Sequence, residues 1–186
     1  MSSLIHLEKT KKALLAGNPI FVYDEDSRES ETDIFFYAKL VTKDNLRYLR
    51  RNGGGMIFLA SDYSISRKLG LSFMEEIYDV ASSSSGKFGI LNIMKNHKLP
   101  YTKSKSSFSI FINHRDTFTG ITDEDRSLTA RSFSQIAEET KRLEVSESML
   151  KMGSSFRSPG HVPVCIAASQ GLSERQGHTE LITELF

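Results

Sequence analysis

Between two short runs of β-branched and aromatic residues, Ile20-Phe21-Val22-Tyr23 and Ile34-Phe35-Phe36-Tyr37, the chain carries six carboxylates in ten residues: Asp24, Glu25, Asp26, Glu29, Glu31 and Asp33. Arg28 is the only cation among them. The flanking runs have the composition of strands, so the acids fall in a loop that joins two strands. If the segment entering the second strand is already extended, Glu29, Glu31 and Asp33 share one face, because side chains alternate with period two. Three carboxylates on one face repel each other unless a cation neutralises them or one keeps its proton at a raised pKa. Either outcome is useful for catalysis; a solvated acidic surface is the plainer alternative.

The rest of the chain supplies a scaffold. Leu4, Leu7, Lys11, Leu14 and Leu15 recur at helical spacing ahead of Gly17 and Pro19, which predicts an opening helix over 4–16. Thr42 is placed to cap a helix over 43–52 that Gly53-Gly54-Gly55 ends, before a buried strand over 56–60. Further expectations are a strand over 108–112, a helix capped by Thr122 or Asp123 and running to Leu143, a strand over 161–168, and a closing helix entered through Gly177-His178-Thr179. Strands and helices mix without strict alternation. The fold class expected is therefore α/β in the broad sense, mixed α+β, as a single domain with a mixed central sheet covered by helices. Residues 81–106, which include the run Ser82-Ser83-Ser84-Ser85, are expected to form a flexible excursion near the active site.

With 186 residues, 39% hydrophobic and 25% charged, one substantial core is available. Lysine and arginine total 24 against 23 acids, so there is no bulk positive field for a nucleic-acid backbone or an anionic bilayer. Apolar runs such as Met56 to Ala60 fall far short of the roughly 20 residues of a membrane span, and the N-terminus has no secretory pattern. The reading is a cytoplasmic protein with no nucleic-acid or membrane partner. Cys165, the only cysteine, excludes an intrachain disulfide and a multi-cysteine zinc site, and its apolar surroundings from Val162 to Ala167 point to packing.

A second cluster lies at the start of the closing helix: Arg175, Gln176, Gly177, His178, Thr179 and Glu180. Free helix-terminal amides, the Thr179 hydroxyl and the Arg175 guanidinium make a candidate phosphate pocket, and a capped surface helix is the alternative. His178 is a candidate metal ligand or proton carrier. Two weaker pieces are the turn Arg157-Ser158-Pro159-Gly160-His161 and the turn Thr119-Gly120-Ile121-Thr122, where Thr119 is either a ligand contact or a cap. Taken alone, these residues point to a magnesium-assisted enzyme acting on a small phosphorylated compound.

Together and in this order, Asp24-x-x-x-Arg28-Glu29-x-Glu31-x-Asp33, Thr119-Gly120-Ile121 with Asp125-Arg126, Pro159-Gly160-His161-Val162, and Arg175-x-Gly177-His178-Thr179-Glu180 resemble the 3,4-dihydroxy-2-butanone-4-phosphate synthase family of riboflavin biosynthesis. The resemblance implies a lyase that converts ribulose 5-phosphate to formate and a four-carbon phosphate. It implies a homodimer with active sites at the subunit interface and a divalent cation, magnesium or else manganese. By position, Glu29 and His178 would ligate the metal, and Glu29, Asp33, His161 and His178 would carry the catalytic proton transfers. Asp24, Arg28, Glu31, Asp33, Thr119, His161, Arg175, Gln176, Gly177, His178 and Thr179 would contact the substrate. Two departures are visible. Phe58 stands where the family often has a cysteine, and the family's last strand, which bears a glutamate that matters for activity, is expected to be missing from the domain at 1–186. The alternatives these leave are an impaired homologue that still binds sugar phosphate, or another magnesium-dependent isomerase or lyase.

Overall fold

The computed structural model describes residues 2–85, 99, 101 and 105–185. Helix α1 (Ser2–Leu15) leads into a hairpin of β1 (Ile20–Tyr23) and β2 (Thr32–Phe35), paired antiparallel with Tyr23 opposite Thr32 and Val22 opposite Asp33. The acidic run is therefore the loop of this hairpin. Leu14 is buried on Ile20 and Leu185 in a small core that ties the hairpin to both ends of the described chain.

Helix α2 (Lys43–Asn52) begins with a reciprocal cap in which the Thr42 hydroxyl accepts from Asn45 N–H and the Asn45 side chain accepts from Thr42 N–H. Strand β3 (Leu59–Ser61), helices α3 (Tyr63–Lys68) and α4 (Met74–Ser85), and strand β4 (Phe108–His114) follow. Helix α5 (Asp123–Thr140), capped by the Thr122 hydroxyl on Asp125 N–H, and helix α6 (Val145–Ser155) precede strand β5 (Phe156–Ile166) and the short helix α7 (His178–Thr183). The second sheet has the order β3-β5-β4, with β3 parallel and β4 antiparallel to β5. It is mixed, as expected. Val162, Val164 and Ile166 on β5 are buried with Ile112, Phe133, Ile136, Phe156 and Leu59 in the main core.

Several boundaries differ from the sequence expectation. The strand expected over 56–60 begins only at Leu59, where pairing with Val164 starts, and residues 53–58 instead line a cavity. The strand expected over 34–37 is shifted to Thr32–Phe35 by its register with β1. Helix α5 stops at Thr140, before Leu143. The turn expected before a strand at His161 lies inside β5: Ile112 pairs with Val162 and Asn113 with Arg157, so residues 158–161 bulge from the ladder. Helices α3, α4 and α6 had no distinct periodic signal. Most of the excursion expected over 81–106 lies outside the described residues, and positions 81–85 are the end of α4.

Candidate active site

Helix α7 packs against β1 and β3, which sets its first residue beside the hairpin loop. Within that loop Asp24 is the organiser. Its Oδ2 accepts from Glu29 N–H at 3.0 Å and from Arg28 Nη1 at 3.3 Å, and its Oδ1 accepts from Glu31 N–H at 3.2 Å. The side chain is fully buried. Burial alone would raise its pKa, but the backbone N–H groups of the loop outweigh that and hold the carboxyl below the ordinary carboxylate range. Ser30 has φ of 54°, in the left-handed region, so the chain is not extended from Glu29 to Asp33. The alternation that was expected to put Glu29, Glu31 and Asp33 on one face does not occur, and Glu31 points to solvent.

Glu29 and Asp33 nevertheless converge, on His178. The buried ring offers Nδ1 to Glu29 Oε2 at 3.6 Å and to Asp33 Oδ2 at 3.8 Å, while Nε2 lies 3.2 Å from the Glu31 carbonyl oxygen. A carbonyl only accepts, so Nε2 carries the proton of this bond and the neutral ring turns the Nδ1 lone pair toward two carboxylates. That arrangement is repulsive unless Nδ1 is protonated or a cation lies between. Atoms of Asp24, Glu29 and His178 lie within 4.8 Å of one another. Two ligands of one magnesium ion at about 2.1 Å can be at most about 4.2 Å apart, so the spacings between His178 and Glu29 and between His178 and Asp33 fit one ion. Asp24 is already occupied by the loop's own donors. Burial, reinforced by Glu29, Glu31 and Asp24 and opposed by His178, pushes the Asp33 carboxyl above its ordinary value.

Arg28, one residue from the convergence point, places Nη1 3.5 Å from Glu29 Oε1 and its guanidinium 5.5 Å from the centroid of the Tyr101 ring. It also lies against Gly177, where a Cβ would stand 3.2 Å from both Nη atoms. Arg175 departs from the expected open phosphate contact. Its guanidinium turns inward, with Nε and Nη2 donating to Glu180 Oε1 at 2.9 and 2.6 Å, Nη2 to the Ile166 carbonyl and Nη1 to the Lys105 carbonyl. Glu180 Oε1 also accepts from Ala168 N–H. The pair braces the turn that carries Gln176, exposed, and Gly177 and Thr179, buried.

Thr119 and His161 are not part of this convergence within one protomer. Among the described residues, the Thr119 hydroxyl meets Asp125, and His161 meets Asn113, whose Oδ1 accepts from His161 N–H at 2.8 Å and whose Nδ2 lies 3.0 Å from the ring. Five strand steps, roughly 17 Å at about 3.3 Å each, separate His161 from Ile166, whose carbonyl meets Arg175. Phe118, next to Thr119, is 93% exposed. Phe58 stands edge-on to Phe35 at 6.1 Å and lines a cavity of about 1050 Å³ together with Asp33, Arg126 and Phe133. Sequence reading missed Asn113 and Tyr101. A polar residue in the apolar run of β4 was a signal for the first; nothing local marked the second.

A mixed α/β domain that folds two carboxylates and an imidazole together beside a cavity is an enzyme scaffold with a centre suited to a hard cation. The model of the family described as 3,4-dihydroxy-2-butanone 4-phosphate synthase matches residues 8–186. The 3,4-dihydroxy-2-butanone 4-phosphate synthase of Methanosarcina mazei is 41% identical over 180 residues, 97% of this chain and 70% of its own. That of Archaeoglobus fulgidus is 39% identical over 182 residues, 98% of this chain and 74% of its own. A crystal structure of a 3,4-dihydroxy-2-butanone 4-phosphate synthase in complex with two magnesium ions shares the fold at a TM-score of 0.67 and 23% identity, covering 96% of this chain and 68% of that one. The chain belongs to the 3,4-dihydroxy-2-butanone 4-phosphate synthase family.

Proposed function

We propose that this chain converts D-ribulose 5-phosphate to L-3,4-dihydroxy-2-butanone 4-phosphate and formate, with magnesium or manganese held by Glu29 and His178. Its place is riboflavin biosynthesis in the cytoplasm. The observation that carries the reading is His178 Nδ1, its lone pair fixed by the Glu31 carbonyl and directed at Glu29 and Asp33. Carboxylate oxygens with one imidazole nitrogen form a donor set that fits either ion. A bound cation there supplies charge stabilisation to the substrate's carbonyl and hydroxyl oxygens.

The remaining work falls to the protein's own groups. Asp33, whose carboxyl is pushed above its ordinary value by burial, takes and returns the proton on the carbon beside the ketone, because a raised pKa makes a carboxylate a stronger base. Arg28 and the Gln176–Thr179 turn take the anionic end of the sugar phosphate, with Arg175 and Glu180 keeping that turn in place. Asp24 fixes the loop, and Glu31 supplies the carbonyl that orients His178. His161 and Thr119 complete the pocket from the second subunit of a homodimer. The exposed Phe118 and half-exposed Ile121 on either side of Thr119 support this, since large apolar side chains left at the surface close together in the chain fit a contact surface.

The test is formate release from ribulose 5-phosphate with magnesium and then with excess chelator. Wild type gives magnesium-dependent formate, and Glu29→Gln and His178→Ala each lose at least about a hundredfold. Formate output unchanged in both variants ends the reading. Mixing His161→Ala with His178→Ala subunits restores part of the activity if sites form between protomers, and restores none if each protomer is self-sufficient.

A further inference from the structure

Tyr101 makes two contacts with the acidic loop at once. Its ring lies under the Arg28 guanidinium, 5.5 Å from centroid to Cζ, and its hydroxyl has the Glu29 carboxylate as a neighbour, so that burial and then the Glu29 charge push the phenol above its ordinary value. Arg28 and Glu29 are adjacent in sequence but serve different partners: Glu29 directs Oε2 to His178, whereas Arg28 reaches the bare backbone face of Gly177. Glu29 Oε1 is 3.5 Å from Arg28 Nη1, so without a further restraint the carboxylate can swing toward the guanidinium and away from His178. A phenol between the two supplies that restraint. The ring attracts the cation through its negative face, and the hydroxyl at the end of the same rigid group is a donor available to the neighbouring carboxylate.

We infer that Tyr101 is a positioning residue, which holds Glu29 toward His178 through its hydroxyl and holds Arg28 toward the Gly177 turn through its ring. The inference rests on the metal and substrate roles proposed for Glu29 and Arg28. It assigns the two halves of one side chain to two separable properties: the hydroxyl to cation affinity, and the ring to recognition of the anionic substrate. A residue that merely fills space would not split in this way.

Two variants separate the halves. Tyr101→Phe keeps the ring and removes the hydroxyl; Tyr101→Leu removes both. Binding of Mn²⁺ is titrated by the electron paramagnetic resonance signal of the free ion, and kcat and KM for ribulose 5-phosphate are measured by formate release at saturating metal. Thermal melting of each variant shows that it is folded. Tyr101→Phe is expected to weaken Mn²⁺ binding about tenfold, the effect typical of an outer partner of a metal ligand, while KM stays within about twofold. Tyr101→Leu is expected to show the same metal defect and a KM raised about three- to fivefold, the range for loss of one partly exposed cation–π contact. Folded variants with wild-type Mn²⁺ affinity and wild-type KM overturn the inference, as does a Phe variant that raises KM as much as the Leu variant does. If the wild type binds Mn²⁺ but releases no formate, the proposed reaction fails and the Mn²⁺ titration still judges the hydroxyl's role. If it binds no Mn²⁺, both fail.

Discussion

His178 Nε2 donates to the backbone carbonyl of Glu31 at 3.2 Å, a bond between positions 147 residues apart. It locks the tautomer and the tilt of the ring together. Nδ1 is left with a lone pair aimed at Glu29 Oε2 and Asp33 Oδ2, at 3.6 and 3.8 Å. The acceptor is a main-chain carbonyl that no side-chain substitution at Glu31 removes. The loop backbone, rather than the Glu31 carboxylate, is therefore the part of that residue the site depends on.

Because Glu29 and His178 would hold one ion, their losses should not add. The Glu29→Gln/His178→Ala double variant is expected to release formate no more slowly, within about threefold, than the worse single variant. Initial rates across the four-protein cycle check this; multiplicative losses would mean that the two side chains act independently.

Asp24→Ala removes the acceptor for two loop N–H groups and for Arg28. Each donor left unpaired in a buried place costs about 1–3 kcal/mol, so a net loss of about 2–4 kcal/mol is expected. Urea unfolding measures it. The same variant should lose cation affinity, since Glu29 and the Glu31 carbonyl both hang on the loop that Asp24 holds closed.

Two carboxyls at the start of α5 set an acid limit. Asp123 is lowered by its bonds to Arg50 and Arg126. Asp125 is lowered by hydrogen bonds from Gly120 N–H, Thr122 and Thr119 that outweigh the raising effect of its burial. A depressed folded pKa contributes stability that is fully present above the unfolded value, 3.8 here, and is lost as pH falls through the folded value. The melting temperature should thus hold from about pH 7 to about pH 5 and fall below about pH 4. Asp125→Asn should lower it at pH 7 and make the fall shallower. A wild-type melting temperature independent of pH down to about pH 3 would contradict the assignment.

Cys165 is a packing residue. Burial pushes its thiol up to about 12, and 4% of the residue is exposed. Since the thiolate is the reactive species, the folded protein should leave an aromatic disulfide reagent unreacted at about pH 8, then react with one equivalent per chain on unfolding in guanidinium. Rapid reaction of the native protein would place the sulfur at the surface.

Short-range features were legible in the chain itself. The strand composition of residues 20–23 and the carboxylates after it fixed the hairpin with its acidic loop. Thr42, and Thr122 or Asp123, announced the starts of α2 and α5, because a cap is made within a few residues of the helix it begins; the structure uses Thr42 and Thr122. The ordered motifs around Arg28, Thr119, His161 and His178 identified the family. Where local patterns were weak, as in residues 63–68 and 145–155, the helices were not distinguished from loop. Their apolar positions are few, and their packing against α5 decides them.

Other properties belong to the tertiary structure alone. Periodicity suggested that Glu29, Glu31 and Asp33 share a face, but the left-handed Ser30 breaks the alternation, and Glu29 and Asp33 meet through His178 instead. The inward turn of Arg175 onto Glu180 and the stack of Tyr101 beneath Arg28 leave no trace in local composition. The amino-acid sequence determined which chemical groups exist and which short segments become strands or helices, since those preferences act over a few bonds. Which groups face each other across the protomer was decided by the packing of α7 on β1 and β3, because side chains far apart in the chain are brought together only by the burial of the elements that carry them.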